Sequence, residues 1–377
     1  LALANVVASL NFDVADLILL TKFLLGVEHL NDYECMQFPK NTIFPEVEDI
    51  PEPTTNPIET SYEPMTEPTD PIPDWTEPIT EPTEPVTDPV EPVQQLTLAD
   101  MPAEYKDAME WVWTNRFVRE GSTTRQNTII DQIMAGKGTL NFVVRWQSYK
   151  TVTYEQRQQF ETLASDCVNA WNDYLKGYDG WPYDHIDVKV VGWAVIDKNC
   201  LLDLQPDEVV YTDTVPYDPS YDIQNGMGDS RIPTVMPVAP EELFRYEHWR
   251  DPNWSYDGSY DNRYDMHLTA TLGMINMGGY GYYWGQQLSD EAVLGLCDGT
   301  TSIHILEHEV GHGFGFTDFY GEEGASDGTP PGGFPDGKGS IMEAGSSSVI
   351  TNFDGWFARY VWTKFSSEEG RFDLSSV

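Results

Sequence analysis

Basic residues are scarce in this sequence of 377 residues, where 21 Lys and Arg stand against 62 Asp and Glu for a formal net charge of −41. Such a chain repels phosphate backbones, so we expect no nucleic-acid partner. It also repels anionic membrane surfaces, so we expect no membrane partner. No run of roughly 18 or more apolar residues occurs, and the sequence therefore predicts no membrane-spanning helix.

Cysteine is also rare, and the four residues are Cys35, Cys167, Cys200 and Cys297. No two of them form a CxxC pair, which excludes a zinc knuckle built from cysteines. A disulfide between Cys200 and Cys297 is one interpretation, and burial as free thiols is the other. Cysteine usage therefore leaves the cellular compartment open.

Lys and Arg are absent from residues 45–92, which contain 13 of the 26 prolines and 14 acidic residues. Proline fixes φ and removes amide donors, and like charges repel, so this segment cannot build a core. We therefore predict a short helical segment at 1–44, a disordered, acidic Pro/Thr-rich linker at 45–95 and a folded domain at 96–377.

The segment before the linker contains an amphipathic helix, because apolar residues recur at helical spacing between positions 17 and 27. Asp13 and Asp16 precede this helix, three residues apart. The segment resembles a degenerate dockerin repeat, the calcium-loop-and-helix unit that attaches secreted enzymes to cellulosome scaffolds. The resemblance implies a cohesin or scaffold protein as a partner, and an unrelated helical cap is the alternative.

We predict that residues 1–44 bind calcium weakly or not at all. Val7, Ser9 and Leu10 occupy positions that calcium loops fill with oxygen ligands and glycine. Calorimetry on this segment is the direct measurement, and a micromolar affinity for calcium would identify a working dockerin instead.

The folded domain shows the periodicity of both strands and helices. Alternating or continuous apolar residues predict strands at 139–146, 186–196 and 266–275. Apolar spacing predicts a helix at 153–177, with Thr153 and Gln156 as a capping box, and another at 350–365 whose aromatic stripe we interpret as core. Strands that alternate with long helices predict an α/β (α+β) fold.

The stretch HEVGHGFGFTD, residues 308–318, contains the strongest functional signal. His308 and His312 are four residues apart, so on a helix their imidazoles point the same way, as two ligands of one zinc ion must. Glu309 lies beside the first ligand, where a carboxylate can reach a water at the metal and act as general base. The alternative is a helix that carries two surface histidines and a salt-bridging glutamate, but only seven histidines occur in the chain.

The residues that flank this motif predict how its helix begins and ends. Thr300 and Thr301 are candidates for the N-terminal cap. His304 lies one turn before the first histidine of the motif, and we interpret it as a core histidine rather than a support for the ligands. Gly315 comes three residues after the second histidine, where a glycine can end the helix and turn the chain sharply because it accepts positive φ.

Two stretches of the folded domain resemble the metzincin clan of zinc metallopeptidases. The clan's pattern HExxHxxGxx, followed by a third ligand, matches this motif through Gly315 and Asp318. GSIMEAGSSS, residues 339–348, resembles the clan's Met-turn and places Met342 beneath the metal. The resemblance implies a catalytic domain with a twisted mixed sheet, an active-site helix and a C-terminal helix.

The same resemblance implies a zinc ion with His308, His312 and Asp318 as ligands and Glu309 as general base. The other candidates for the third ligand are His304, Glu343 and the pair Glu322 and Glu323. We favour Asp318, because the class with a glutamate as third ligand needs neither the glycine after the second histidine nor a Met-turn.

Two features of the folded domain leave alternatives open. Ala344 stands where many relatives have a tyrosine that helps to hold the oxyanion, and Tyr320 or backbone donors are the candidates to replace it. Residues 251–265 contain four aspartates and three tyrosines, which fit either a structural calcium site or a solvated loop.

The sequence predicts a secreted zinc metalloendopeptidase that hydrolyses protein or peptide substrates, associated with a cellulosome or cell surface. We expect a processed or truncated chain with any signal peptide outside it, because the first residue is leucine. The alternative is a non-catalytic, cellulosome-associated protein that binds carbohydrate or protein around a structural or vestigial zinc site. An intact Glu309 favours the enzyme, because a structural zinc site does not need it.

Overall fold

A computed structural model describes residues 95–118, 125–250, 262–275, 278–320, 328–343 and 345–374. These residues belong to one compact unit, Val86–Val377. The predicted segment at 1–44 lies outside the described residues, as does all but the last residue of the predicted linker. None of the helices in the described ranges combines the length and the apolar character that a membrane span requires.

Within the described residues, eight strands form two sheets. They are β1 Thr139–Gln147, β2 Asp187–Val195, β3 Val210–Tyr211, β4 Asp213–Pro216, β5 Val235–Val238, β6 Met266–Thr271, β7 Tyr280–Tyr282 and β8 Gly285–Ser289. Six of them make the main sheet in the order β3-β2-β1-β6-β8-β7, and β4 pairs with β5. All neighbours in the main sheet are parallel except β7 and β8. The described domain is therefore mixed α/β, with a mostly parallel six-stranded sheet.

In the part of the chain that the structure describes, eight helices accompany the sheets. They are α1 Lys106–Val112, α2 Ile129–Ala135, α3 Tyr154–Leu175, α4 Ser220–Gln224, α5 Arg245–His248, α6 Asp290–Cys297, α7 His304–Gly313 and α8 Asn352–Ser366. A π-helical segment, Trp113–Val118, continues α1. Single 3₁₀ turns lie at Leu98–Asp100, Ala103–Tyr105, Lys198–Cys200 and Glu241–Leu243.

The predicted regular elements are confirmed within a few residues. Helix α3 begins at the capping box of Thr153 and Gln156, in which each side chain bonds the other residue's amide. The third strand is shorter than predicted, because the chain turns directly after β6 and Gly273 there has φ +82°. Positive φ is not a strand conformation and is readily adopted only by glycine, so the strand cannot extend to residue 275.

The main core lies on one face of the large sheet, where α3, α7 and α8 pack. The aromatic stripe predicted for α8 is entirely buried, which confirms its interpretation as core: Phe353, Trp356, Phe357, Tyr360, Val361 and Phe365. Val143 points to the opposite face, because neighbouring strand residues alternate, and belongs to a second cluster around Phe244 and Tyr264. The motif helix α7 is thus held on the sheet by a large aromatic core.

The disulfide interpretation is wrong for this structure, because Cys200 and Cys297 are both free thiols. The Cys200 thiol donates to the carbonyl of Ser148, and the Cys297 thiol donates to the carbonyl of Gln156. Each thiol therefore has a hydrogen-bond acceptor of its own, as expected for the alternative of free thiols.

Most of the candidate calcium loop, residues 251–261, lies outside the described residues. Its last aspartate, Asp265, is fully buried and accepts hydrogen bonds from Arg245 at 2.8 Å and from the amide of Asn141 at 2.9 Å. Arg263 lies 3.3 Å from the same carboxylate. Asp265 is thus engaged by two guanidinium groups, and the choice between a calcium site and a solvated loop stays a prediction.

Candidate metal centre

The motif helix α7 begins later than the sequence predicts. Its N-cap is Ile303, which makes no side-chain cap, and the helix starts at His304. The amides of Thr300 and Thr301 instead donate to the carbonyl of Gly295, at 2.8 and 2.9 Å. The prediction of a threonine cap is therefore wrong, because both threonines close the end of the preceding helix α6.

The end of α7 agrees with the prediction. The helix stops at Gly313, and Gly315 has φ +100°, a conformation that other residues rarely adopt. The Phe316 amide then donates back to the carbonyl of Gly311 at 3.2 Å. This reversal returns the chain toward the histidines and places Asp318 beside them.

The predicted ligands lie together. Asp318 Oδ1 is 3.1 Å from His308 Nε2 and 3.5 Å from His312 Nε2. In a tetrahedral zinc site with bonds of about 2.05 Å, neighbouring donor atoms are separated by about 3.3 Å. The distances from Asp318 to the two imidazole nitrogens therefore agree with the spacing that one zinc ion requires.

Unpartnered oxygens also favour a cation at this point. Asp318 Oδ1 and Glu309 Oε2 are buried and have no well-aligned hydrogen bond, although the imidazole nitrogens are near. Possible ligand atoms of His308, Glu309 and His312 all lie within 4.8 Å of one another. Buried carboxylate oxygens without partners are costly, and a metal ion would satisfy them. The residues present thus fit a zinc ion.

Backbone carbonyls orient both imidazoles. His308 Nδ1 lies 2.6 Å from the carbonyl oxygen of Ile341, and His312 Nδ1 lies 2.8 Å from that of Phe316. A carbonyl can only accept, so each Nδ1 carries a proton and each Nε2 faces Asp318. An Nε2 that has lost its proton presents its lone pair there, as zinc ligation requires.

Burial and the attraction between imidazoles and carboxylates together shift the pKa values of the site residues. Burial opposes protonation of His308, but the carboxylates of Asp318 and Glu309 outweigh it and raise the pKa of His308 to about 9. Burial alone would raise the pKa of Asp318, but the two imidazoles lower it well below its usual range. Burial raises the pKa of Glu309. The site therefore attracts positive charge, and Glu309 is a stronger base than an exposed glutamate.

Met342 lies beneath α7, as the Met-turn resemblance implies. It is fully buried. Its sulfur would lie 2.6 Å from a Cβ atom added at Gly311, a residue between the two histidines in the sequence. The Met342 carbonyl accepts a hydrogen bond of 2.8 Å from the Phe319 amide, next to Asp318. This turn therefore supports both α7 and the loop at residues 314–320 that contains Asp318, which we call the third-ligand loop.

The rival candidates for the third ligand do not join the site. Glu343 Oε1 accepts a hydrogen bond of 3.0 Å from Thr329, away from the histidines. His304 lies eight residues before His312 on the same helix, about 12 Å along its axis at roughly 1.5 Å per residue, so one metal ion cannot easily bind both. His304 is half-buried and lines the cleft in front of the site, so its interpretation as a core histidine is wrong. Glu322 and Glu323 lie outside the described residues, and so does Ala344.

Two buried arginines hold the third-ligand loop, and sequence reasoning missed both. Arg116 donates to the main-chain carbonyls of Asp318 and Tyr320. Arg125 donates to the carbonyl of Gly315, at the turn. Each arginine lies about two hundred residues before the main-chain carbonyl that it binds. Because they bind backbone atoms, no pattern of side chains in the sequence could identify them.

We expect Arg116→Ala to lower zinc affinity by about 10- to 100-fold, the loss typical when a residue that orients a ligand is removed. The measurement is zinc competition against a chelator, with thermal unfolding of the metal-free protein alongside. Arg359→Ala is the matched control, because Arg359 also donates to a main-chain carbonyl, that of Tyr174, but outside the site. In an Asp318→Ala background the effect of Arg116→Ala should disappear. An undiminished effect there would contradict this role.

A cleft of about 590 Å³ opens in front of the centre. Its lining is Gly278, Gly279, Tyr280, Gly281, His304, Ile305, His308, Glu309, His312, Asp318, Tyr320, Ile341, Gly345 and Ser347. The glycines of the β7 region lie directly against Glu309. A Cβ at Gly279 would stand 2.5 Å from Glu309 Oε1, and one at Gly281 would stand 2.2 Å from the Glu309 carbonyl oxygen. Only glycine therefore fits at Gly281, where the close atoms are backbone, whereas a side chain at Gly279 would push the Glu309 carboxylate aside.

If Glu309 is the general base of a zinc peptidase, as the sequence predicts, Gly279→Ala should lower peptide hydrolysis about 100-fold without loss of zinc. The added methyl displaces the Glu309 carboxylate, and a shift of about 1 Å in a catalytic group has an effect of this size. Gly278→Ala is the matched control, because its Cβ would meet only Ile305 at 3.7 Å. Steady-state hydrolysis and bound zinc are measured for both, and equal activities would contradict the close packing of strand and carboxylate.

Comparison of the chain with protein-family models, with curated proteins and with solved structures found no match. The function must therefore be inferred from the residues of the site and the fold that positions them.

Proposed function

We propose that this chain is a zinc-dependent metalloendopeptidase of the metzincin type. One observation carries the proposal. Two imidazole nitrogens and one carboxylate oxygen converge at zinc-ligand spacing, beside a second carboxylate that is buried, unpartnered and open to a cleft. We assign His308, His312 and Asp318 as zinc ligands and Glu309 as general base. Structural zinc sites have four protein ligands, whereas three ligands and an open cleft are typical of catalytic sites.

Zinc held by these ligands would act as a Lewis acid that lowers the pKa of water and polarises a carbonyl group. Glu309 takes the proton from the attacking water, whose oxygen bonds to the carbonyl carbon of the substrate. Glu309 then gives that proton to the leaving nitrogen as the C–N bond breaks, which leaves a carboxylic acid and an amine. Its buried position next to the ligands, and the pKa raised by burial, suit this exchange.

The strand beside the cleft supports a polypeptide as substrate. β7 is the last strand in the order of the main sheet, and it passes directly over Glu309. An extended peptide can add to such an edge through main-chain hydrogen bonds. That arrangement would carry successive peptide bonds past the general base.

Three further features support the metzincin assignment. The mostly parallel sheet ends in one antiparallel strand beside the motif helix. Gly315 turns the chain so that Asp318 reaches the histidines, and Met342 lies beneath them. Secretion, and attachment to a cohesin-bearing scaffold through residues 1–44, are part of the proposal on the sequence resemblance alone.

The test is cleavage of an internally quenched peptide library by the purified chain, with and without a zinc chelator. We expect cleavage that the chelator abolishes and added zinc restores. Stoichiometric zinc without cleavage of any peptide would instead favour the non-catalytic binding protein. Cleavage that resists the chelator would contradict the zinc mechanism.

A further inference from the structure

The cleft offers no basic side chain to a substrate. Among the described residues that line it, none is Lys or Arg. A zinc ion would bring two positive charges, and Glu309 and Asp318 would offset them. An acidic substrate side chain would therefore lose water in the cleft without gaining an ionic partner, which is unfavourable.

Two tyrosines supply surfaces that a cation can use. Tyr280 and Tyr320 both line the cleft and are 52% and 38% exposed. Ammonium and guanidinium groups are attracted to the faces of such rings.

The charge of the domain acts in the same direction over longer distances. Residues 96–377 contain 43 Asp and Glu but only 19 Lys and Arg, a formal charge of −24. Buried arginines and buried carboxylates are nearly equal in number among the described residues, so the surface keeps this acidic balance. A field of one sign raises the encounter rate of oppositely charged ligands, and salt weakens it.

We propose that the preferred substrates of this site are cationic polypeptides, with Lys or Arg close to the scissile bond and against the ring of Tyr280. This inference rests on the proposed peptidase function and names its substrate class. The acidic field raises the encounter rate of such chains, the aromatic faces hold the cationic side chain, and the lack of basic residues in the cleft disfavours acidic sequences.

The experiment uses three quenched peptides of equal length that differ only beside the scissile bond, where they carry Lys, Gln or Glu. For the full chain with zinc, we expect kcat/KM to fall from the Lys to the Gln to the Glu peptide. At low salt the Lys peptide should exceed the Glu peptide by at least about tenfold. Added salt should reduce the rate for Lys and raise it for Glu. Equal rates, or a preference for Gln or Glu, would overturn the inference and leave the peptidase function intact.

A pair of variants separates the aromatic face from the general field. Tyr280→Leu should reduce the preference for Lys over Gln by about two- to fivefold, as expected for the loss of one exposed cation–π contact. Tyr282→Leu is the matched control. Tyr282 lies on the same strand and is 47% exposed, but it is not in the cleft lining. The same loss in both variants, or in neither, would overturn the role of Tyr280.

Binding distinguishes failure of this inference from failure of the peptidase function. Glu309→Gln with zinc should bind the Lys peptide more tightly than the Glu peptide, as fluorescence anisotropy would measure. If the wild-type chain cleaves no peptide but this order of binding holds, the peptidase proposal fails and the ligand class stands. If the peptides bind equally, the inference on substrate charge fails whatever the rates.

Discussion

Glu309→Gln is expected to abolish hydrolysis while zinc remains bound. The amide cannot accept a proton from water, and loss of a general base typically costs about 10²- to 10⁴-fold in rate. We expect zinc to be retained because Glu309 is the proposed base for the water and not a zinc ligand. Burial and the missing hydrogen bond of Oε2 make this carboxylate available for proton transfer. The measurements are kcat on a cleavable peptide and zinc per chain by atomic absorption.

Glu307→Gln is the matched control for this variant. Glu307 lies on the same helix but lines a different cavity, next to Tyr174 and Arg359. Its neutralisation should leave both the rate and the zinc content close to wild type. Wild-type turnover in Glu309→Gln would show that the mechanism is wrong, even if zinc is present.

Asp318→Ala is expected to release zinc. It removes one of three ligands, so affinity should fall by more than the roughly 100-fold upper limit seen when residues that merely orient ligands are lost. The fold should persist, since Asp318 lies on a loop and its side chain is 31% exposed. Chelator competition gives the affinity, and thermal unfolding of the metal-free protein gives the stability.

Glu343→Ala provides the comparison for Asp318→Ala. Glu343 was a rival third ligand in the sequence, but its carboxylate bonds to Thr329. We expect this variant to keep its zinc. A metal-loaded structure with Asp318 turned away and a glutamate in its place would contradict both the ligand and the metzincin assignment.

Local sequence patterns were sufficient for the elements whose determinants are close together in the chain. The capping box of Thr153 and Gln156 fixed the start of α3, and the aromatic stripe of α8 identified a core helix. The spacing of His308 and His312 placed two imidazoles on one helix face, and Gly315 provided the turn. In each case the interacting residues are three to seven positions apart, within reach of a periodicity argument.

Contacts between distant segments were not predictable in the same way. Arg116 and Arg125 bind carbonyls of the third-ligand loop, and every residue offers a carbonyl. Thr300 and Thr301 are a local exception: they have the residue type of a helix cap, but their amides close the end of α6 through the carbonyl of Gly295. The position of Gly279 over Glu309 depends on sheet pairing between β7 and β8, which no local pattern specifies.

The link between the last helix and the first ligand has a consequence for biosynthesis. Asp354, in the first turn of α8, accepts hydrogen bonds from the Ile341 amide and the Ser340 hydroxyl, and the Ile341 carbonyl in turn orients His308. A nascent chain that has passed the motif but not yet residues 352–366 lacks this anchor. We therefore expect His308 to be aligned only after residues 352–366 have been synthesised and packed, so that zinc uptake follows completion of α8.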